Sequence, residues 1–402
     1  MPGDALPLLK TKIPGPKSRA LARQLRRYES RNVTYVSDHW PIFWKRALGA
    51  NVWDVDGNRF IDLTAAFGVA SVGHNNPRVV VAIKRQAASL LHAMGDVHPN
   101  ELKLELAREL CALTFGRWTK GEARVIFGNS GAEAVEIALK TAAIHTKRHG
   151  VIAFEGAYHG LTYGALDATW RSDFRAPFTE QLGHFTAHVP FGQVPDIPKI
   201  KDYGAVIVEP IQGRGGIVVP PDDLLAKLRK FCDAHRLLLI FDEIYTGFCR
   251  SGRWFACEHW DVVPDIICVG KGMAGGFPMS ACIGRAEVMD SWPESDGEAI
   301  HTSTFLGNPL GCAASLAAIS EMKRFELDTR AAKLGERMQA VLRARGKGLM
   351  LGVEVANAAQ LCKRLLQRGV IALPEGSVLG LTPPLTITER QLDFCVNAIA
   401  HS

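Results

Sequence analysis

The stretch from Phe241 to Gly284 restricts the fold more than any other part of the chain. Two short apolar runs, Leu237 to Phe241 and Ile266 to Val269, have the continuous hydrophobicity of strands buried on both faces. Each run leads into a group with chemistry. Asp242 closes the first, and Lys271 follows the second between Gly270 and Gly272, in a segment too rich in glycine to be packed core. Open α/β sheets place ligands at the carboxyl ends of such strands.

The surrounding pattern alternates strand and helix, which is the signature of a parallel sheet. Strands are expected at Val125 to Phe127, Val151 to Phe154 and Ala205 to Val208, with helices at Ala134 to His145 and Asp222 to Ala234. Upstream, Val52 to Leu63 alternates around Asp56-Gly57 and reads as a hairpin. Helices are expected from Arg19 to Tyr28 with Ser18 as cap, from Pro77 to about Leu91 and from Asn100 to about Thr114. After a loop from Ser291 to Gly311, the helix Cys312 to Phe325 and the remainder, with a strand within 341–355 and a helix over Ala358 to Gln367, read as a smaller α+β region. The expected division is an amino-terminal arm with part of the small domain over 1–50, a large domain over 51–310 and a small domain over 311–402.

Composition narrows the class. The chain has 402 residues and a formal charge of +6, most of it contributed by Lys10, Lys12, Lys17, Arg19, Arg23, Arg26 and Arg27. A basic arm, read as solvated, with no basic face on a folded domain does not make a nucleic-acid footprint. No apolar run approaches the roughly 20 residues that span a bilayer. The nine cysteines are scattered, with no CxxC pair or Cys/His spacing, so no metal site is expected and a reducing cytoplasm is. Gly270, Gly272 and Gly275 match a dinucleotide fingerprint in letters only, because Pro278 and a short strand follow where that motif needs a helix.

A lysine and an aspartate at neighbouring strand ends suit pyridoxal phosphate. The amine forms a Schiff base with its aldehyde, and the carboxylate keeps the ring nitrogen protonated. The run DEIYTGFCRSGRWFACEH over 242–259, followed by PDIICVGKGMAGGFP over 264–278, resembles the class III aminotransferases of the fold type I pyridoxal phosphate family. That resemblance implies a large domain with a mostly parallel sheet flanked by helices and a smaller α+β domain drawn from both termini. It implies a transaminase working by a ping-pong mechanism, with Lys271 and Asp242 as catalytic residues.

The other cofactor contacts follow by position. Ser130, Gly131 and Ala132 precede a good helix, where free N–H groups and the helix dipole attract an anion; in the family this is the phosphate motif. Tyr158 matches the aromatic residue that stacks on one ring face, with His159 beside it, and Ile244 matches the branched residue on the other face. Tyr245 stands where many relatives place a glutamine. Glu209, at a strand end, matches the segment behind the lysine. Thr304 matches the threonine that reaches the neighbouring subunit's cofactor, which implies a homodimer.

The substrate side departs from the pattern. Gly380 stands where many relatives carry a carboxylate-binding arginine, and Arg214 where ornithine-type relatives carry a glutamate. Two readings follow. Either Arg214 takes over the carboxylate, or the enzyme is an amine or omega-transaminase with a pocket lined by Trp40, Phe43 and Phe67. An aminomutase or racemase on the same fold is the alternative reading.

Overall fold

Seven strands form the central sheet of the computed structural model, which describes residues 3–401. Met1, Pro2 and Ser402, the ends of the expected terminal regions, lie outside the described residues. The order across the sheet is Ala123–Gly128, Ser280–Arg285, Ile266–Val269, Leu238–Asp242, Tyr203–Val208, Gly150–Phe154 and Thr186–Val189. Only Ser280–Arg285 runs antiparallel to its neighbours. Side chains alternate across the pleat, which explains the unbroken apolar runs. Val206, Val208, Leu239 and Phe241 pack into one core, while Ala205, Ile207, Ile240 and Cys268 face a second one under the helix Gly131–Thr146.

The two chain ends meet in smaller sheets. The hairpin Asn51–Asp54 and Arg59–Asp62 is present as expected, flanked by Trp44–Leu48 and, in parallel, by Val370–Ile371. A further antiparallel sheet joins Arg345–Lys347, Met350–Glu354, Val378–Leu381 and Leu373–Glu375. The helices Leu327–Leu342, Ala358–Gln367 and Glu389–Ala400 belong to this region, and the first and last have no counterpart in the sequence reading.

Several local expectations change. The first helix is Pro16–Tyr28, so Ser18 lies in its first turn and does not cap it. Proline suits a helix start because its missing N–H is unpaired there anyway. The cap comes instead from the hairpin turn, where Asp56 accepts hydrogen bonds from the Lys17 and Ser18 amides and the Ser18 hydroxyl. The helix from Pro77 ends at Ala87, short of Leu91. The basic arm is docked, although its charged side chains are exposed. Asn58 accepts from the Lys10 and Thr11 amides, and Leu8 bridges to Arg59.

Arg250 ties the central sheet to the carboxyl-terminal segment. It is 1 % exposed, and it donates to the carbonyls of Leu349 at 3.1 Å and Pro383 at 2.5 Å. Burial pulls its pKa down to about 10. Each bond from a charged donor is worth about 1.5–3 kcal/mol, and removing the donor would strand two buried carbonyls. Thr382 donates its amide to Leu63 and Leu385 donates to Ser71, closing the same seam. All nine cysteines are free, no helix is long and apolar enough to cross a membrane, and no metal-ligating cluster occurs among the described residues.

Candidate active site

Asp242 and Lys271 come together because their strands are parallel neighbours, with Asp242 paired opposite Cys268. Asp242 is 4 % exposed; its carboxylate accepts from the Ile244 amide at 3.1 Å and lies 2.8 Å from His159 Nδ1. His159 is itself set by its amide, which donates to Thr169 Oγ1 at 2.9 Å. Lys271 starts a single helical turn with φ of 38°, a left-handed conformation that costs a non-glycine residue about 1–3 kcal/mol. Such strain persists only where the surroundings impose it.

These groups line a cavity of about 330 Å³. Ser130, Gly131 and Ala132 enter it from the start of the helix Gly131–Thr146, whose first-turn N–H groups have no intrahelical acceptor. Tyr158, Glu209, Ile244 and Arg214 complete the expected set. A Cβ on Gly131 would meet Ile244 at 3.0 Å, so this turn lies directly against the Ile244 side chain.

Electrostatics set the protonation states. Desolvation lowers the pKa of Lys271, against the pull of Asp242 and Glu209. Glu209 accepts from the amides of Tyr158 and Gly213, yet burial pushes its pKa up to about 7. Two carboxyl groups thus act on one amine, and Glu209 holds its proton more tightly than an ordinary carboxylate.

Three expected pocket residues lie elsewhere. Trp40 packs on the cluster of Ile13, Val52 and Phe60. The Phe43 backbone pairs with Val55 and Ser18. Phe67 is 52 % exposed, on a left-handed turn beside Gly68. None of the three lines this cavity. Aromatic content near a hairpin did not predict the pocket, because the walls come from loops far apart in sequence. Thr304 is exposed and does not line the cavity of its own chain.

Two further residues shape the site: Tyr245, noted in the sequence only as standing at a glutamine position, and Glu375, which the sequence did not single out. Tyr245 lines the cavity with its ring centroid 4.1 Å from Lys271 Nζ. Glu375, its side chain 8 % exposed, lies 3.8 Å from Arg214 Nε. A Cβ on Gly380 would point at Glu375 Cγ, 3.4 Å away. The space beside Gly380 therefore faces an acid that is itself paired with Arg214. Only the hairpin Leu373–Glu375 with Val378–Leu381 could have signalled it.

Pyridoxal phosphate fits what is present. The helix start offers N–H groups to a phosphate, Asp242 offers a buried carboxylate to a ring nitrogen, and Tyr158 and Ile244 offer flanking surfaces. His159 Nε2 is buried without a partner, a polar atom left over by the protein alone.

Known proteins resemble this chain along nearly its whole length. Residues 33–402 match the model of the family described as aminotransferase class-III. The acetylornithine aminotransferase of Methanopyrus kandleri is 42% identical over 377 residues, covering 90% of this chain and 94% of the relative. That of Methanosarcina mazei is 38% identical, covering 93% and 95%. Among solved structures, the ornithine aminotransferase of Toxoplasma gondii ME49 superposes with a TM-score of 0.86 at 31% identity, over 96% of this chain and 94% of that one. An amine transaminase from an uncultivated Pseudomonas species in its PLP-bound form gives 0.84 at 26% identity, over 93% and 97%.

The raised pKa of Glu209 has a consequence for stability. A carboxyl group that binds its proton more tightly when folded favours the fold below its ordinary pKa of 4.5, and that advantage is lost as pH rises to about 7. The loss amounts to about 3 kcal/mol. Urea unfolding of the cofactor-free protein, compared with Glu209→Gln, should show this extra decline between pH 4.5 and 7 in the parent only. Parallel pH profiles would show that Glu209 titrates normally.

Proposed function

The chain belongs to the class III aminotransferases and uses pyridoxal phosphate, and from that premise we propose that it moves an amino group from a primary amine donor to an oxo-acid acceptor by a ping-pong mechanism. The observation that carries the substrate side is Arg214 lining the same cavity as Lys271, while Gly380 offers no side chain.

When bound, the cofactor supplies an electron sink for a carbanion at the amino-bearing carbon. Asp242 holds the proton on the ring nitrogen, with His159 keeping the carboxylate oriented. Ser130, Gly131 and Ala132 bind the phosphate, Tyr158 and Ile244 hold the ring faces, and Glu209 borders the lysine side. Lys271 Nζ takes and returns the proton at the reacting carbon, a role that needs a neutral amine and is served by its lowered pKa.

Arg214 presents a cation to the acceptor's carboxylate. Its ion pair with Glu375 is long at 3.8 Å, its Nε is buried without a hydrogen bond, and it rests over the Tyr158 ring at 5.0 Å. The relatives named acetylornithine aminotransferases act, by that name, on a carboxylated amine, and Arg214 offers this chain a cation for such a group.

The dimer belongs to this reading too. Thr304 is exposed and matches the threonine that serves a partner's phosphate; Phe305 and Ile300 nearby are also exposed, at 57% and 69%. Mixing Lys271→Ala with Thr304→Ala protomers should restore a site holding both side chains and recover cofactor affinity. No recovery on mixing would place Thr304 outside the partner's site.

For the substrate, Arg214→Ala should raise KM for pyruvate or 2-oxoglutarate about tenfold or more, the loss of one charge-assisted contact. Unchanged turnover with both acceptors would reject Arg214 as the carboxylate site.

A further inference from the structure

Tyr245 has no part in the reading above, yet its contacts are the most closely specified in the cavity. Its ring lies in a slot between two glycines. A Cβ on Gly68 would come within 2.6 Å of Tyr245 Cε2, and one on Gly213 within 2.5 Å of Cδ1. Only residues without side chains admit the ring there.

The hydroxyl end is fixed as well. Tyr245 Oη lies 3.2 Å from Thr382 Oγ1, and Thr382 Oγ1 donates to the Thr64 carbonyl at 3.1 Å. The threonine has one proton and has used it, so the phenol is the donor across the first contact. Burial raises the phenol's pKa, which keeps that proton in place. Thr64 also begins the turn that carries Gly68, so slot and anchor belong to one assembly.

Lys271 Nζ lies 4.1 Å from the ring centroid and donates no hydrogen bond among the described residues. Its charge rests on the electron-rich face of an immobilised ring. Resting on the reading of Lys271 as the reactive amine, we infer that the Tyr245 ring is the docking place of that amine whenever it is not bonded to the cofactor, so that Tyr245 positions it between the two halves of the reaction. A lysine has four rotatable bonds, and an amine released into an open cavity would lose its alignment with the reacting carbon. The ring face attracts the charged amine without hydrogen-bonding the lone pair of the neutral one.

The test follows cofactor capture by the full-length protein stripped of pyridoxal phosphate. The rate at which added cofactor turns yellow is recorded from neutral to alkaline pH, with thermal unfolding as a fold check. Tyr245→Phe keeps the ring face and should retain the parental pH midpoint and a rate within about twofold. Tyr245→Met removes the face at similar volume. It should lower the midpoint by about half a unit or more, because the ammonium form loses its support, and cut the maximal rate about tenfold. If the methionine variant does not fold, ring-fluorinated phenylalanines at 245 keep the shape and drain the face, and the midpoint should fall with increasing fluorination. A parental midpoint and rate in Tyr245→Met, a flat fluorination series, or a phenylalanine variant as impaired as methionine would overturn the inference. Lys271→Ala provides the separate control: yellow colour in that variant would remove Lys271 as the reactive amine instead.

Discussion

A partly desolvated amine under the pull of two carboxyl groups sets the terms for the rest of this structure. Burial costs the charged form of Lys271 its hydration, while Asp242 and Glu209 favour that form. Both pulls are needed. Desolvation alone would leave the lysine neutral and unattached, and the carboxylates alone would leave it a fully protonated ion. Glu209, with its own pKa raised to about 7, withholds part of its charge near neutrality, whereas Asp242 is tied to His159 and the Ile244 amide. The balance depends on where these groups stand, and the parallel pairing of the strands ending at Asp242 and Val269 brings Asp242 and Lys271 to one edge of the sheet.

The far wall of the site depends on the seam between the central sheet and the chain ends. Tyr245 leans on Thr382, Thr382 on Thr64, and Arg250 clamps Pro383 and Leu349 from inside the sheet region. The left-handed run Ala65 to Gly68 is held by Asp62, which also contacts His74 Nε2 at 2.7 Å. Strain in that turn is thus sustained from Asp62, along the same seam that Arg250 closes at Pro383. A site built at a seam keeps a rigid chemical floor and can vary its substrate-facing wall.

The chemical floor was legible in the sequence, and the wall was not. Asp242 and Lys271 could be read because buried strands leave unbroken apolar runs and the next residue emerges at the ligand-binding edge. Ser130 to Ala132 could be read because a helix start is a local event. The strand Thr186–Val189 was missed, since it is short and only partly buried. Ser18 was misassigned because a remote carboxylate, Asp56, supplies the cap that local propensity gave to the serine. Trp40 and Phe43 were drawn to the pocket by their aromatic character, yet its walls come from Tyr158, Leu161, Glu209, Arg214, Ile244 and Tyr245. Their meeting is a product of tertiary packing that no local pattern encodes. The pair Arg214 and Glu375 was half visible: Arg214 and Gly380 stood out in the sequence, and the acid that answers Arg214 did not.

On the proposed function, Lys271 and its surroundings run a two-stage amino transfer. The absorbance of the cofactor-loaded protein tests it in one cuvette. A primary amine donor alone should bleach the yellow colour in proportion to enzyme, and an oxo acid added afterwards should restore it. A colour that persists with every donor while product still forms would contradict a transaminase cycle and favour an aminomutase or racemase in the same cavity.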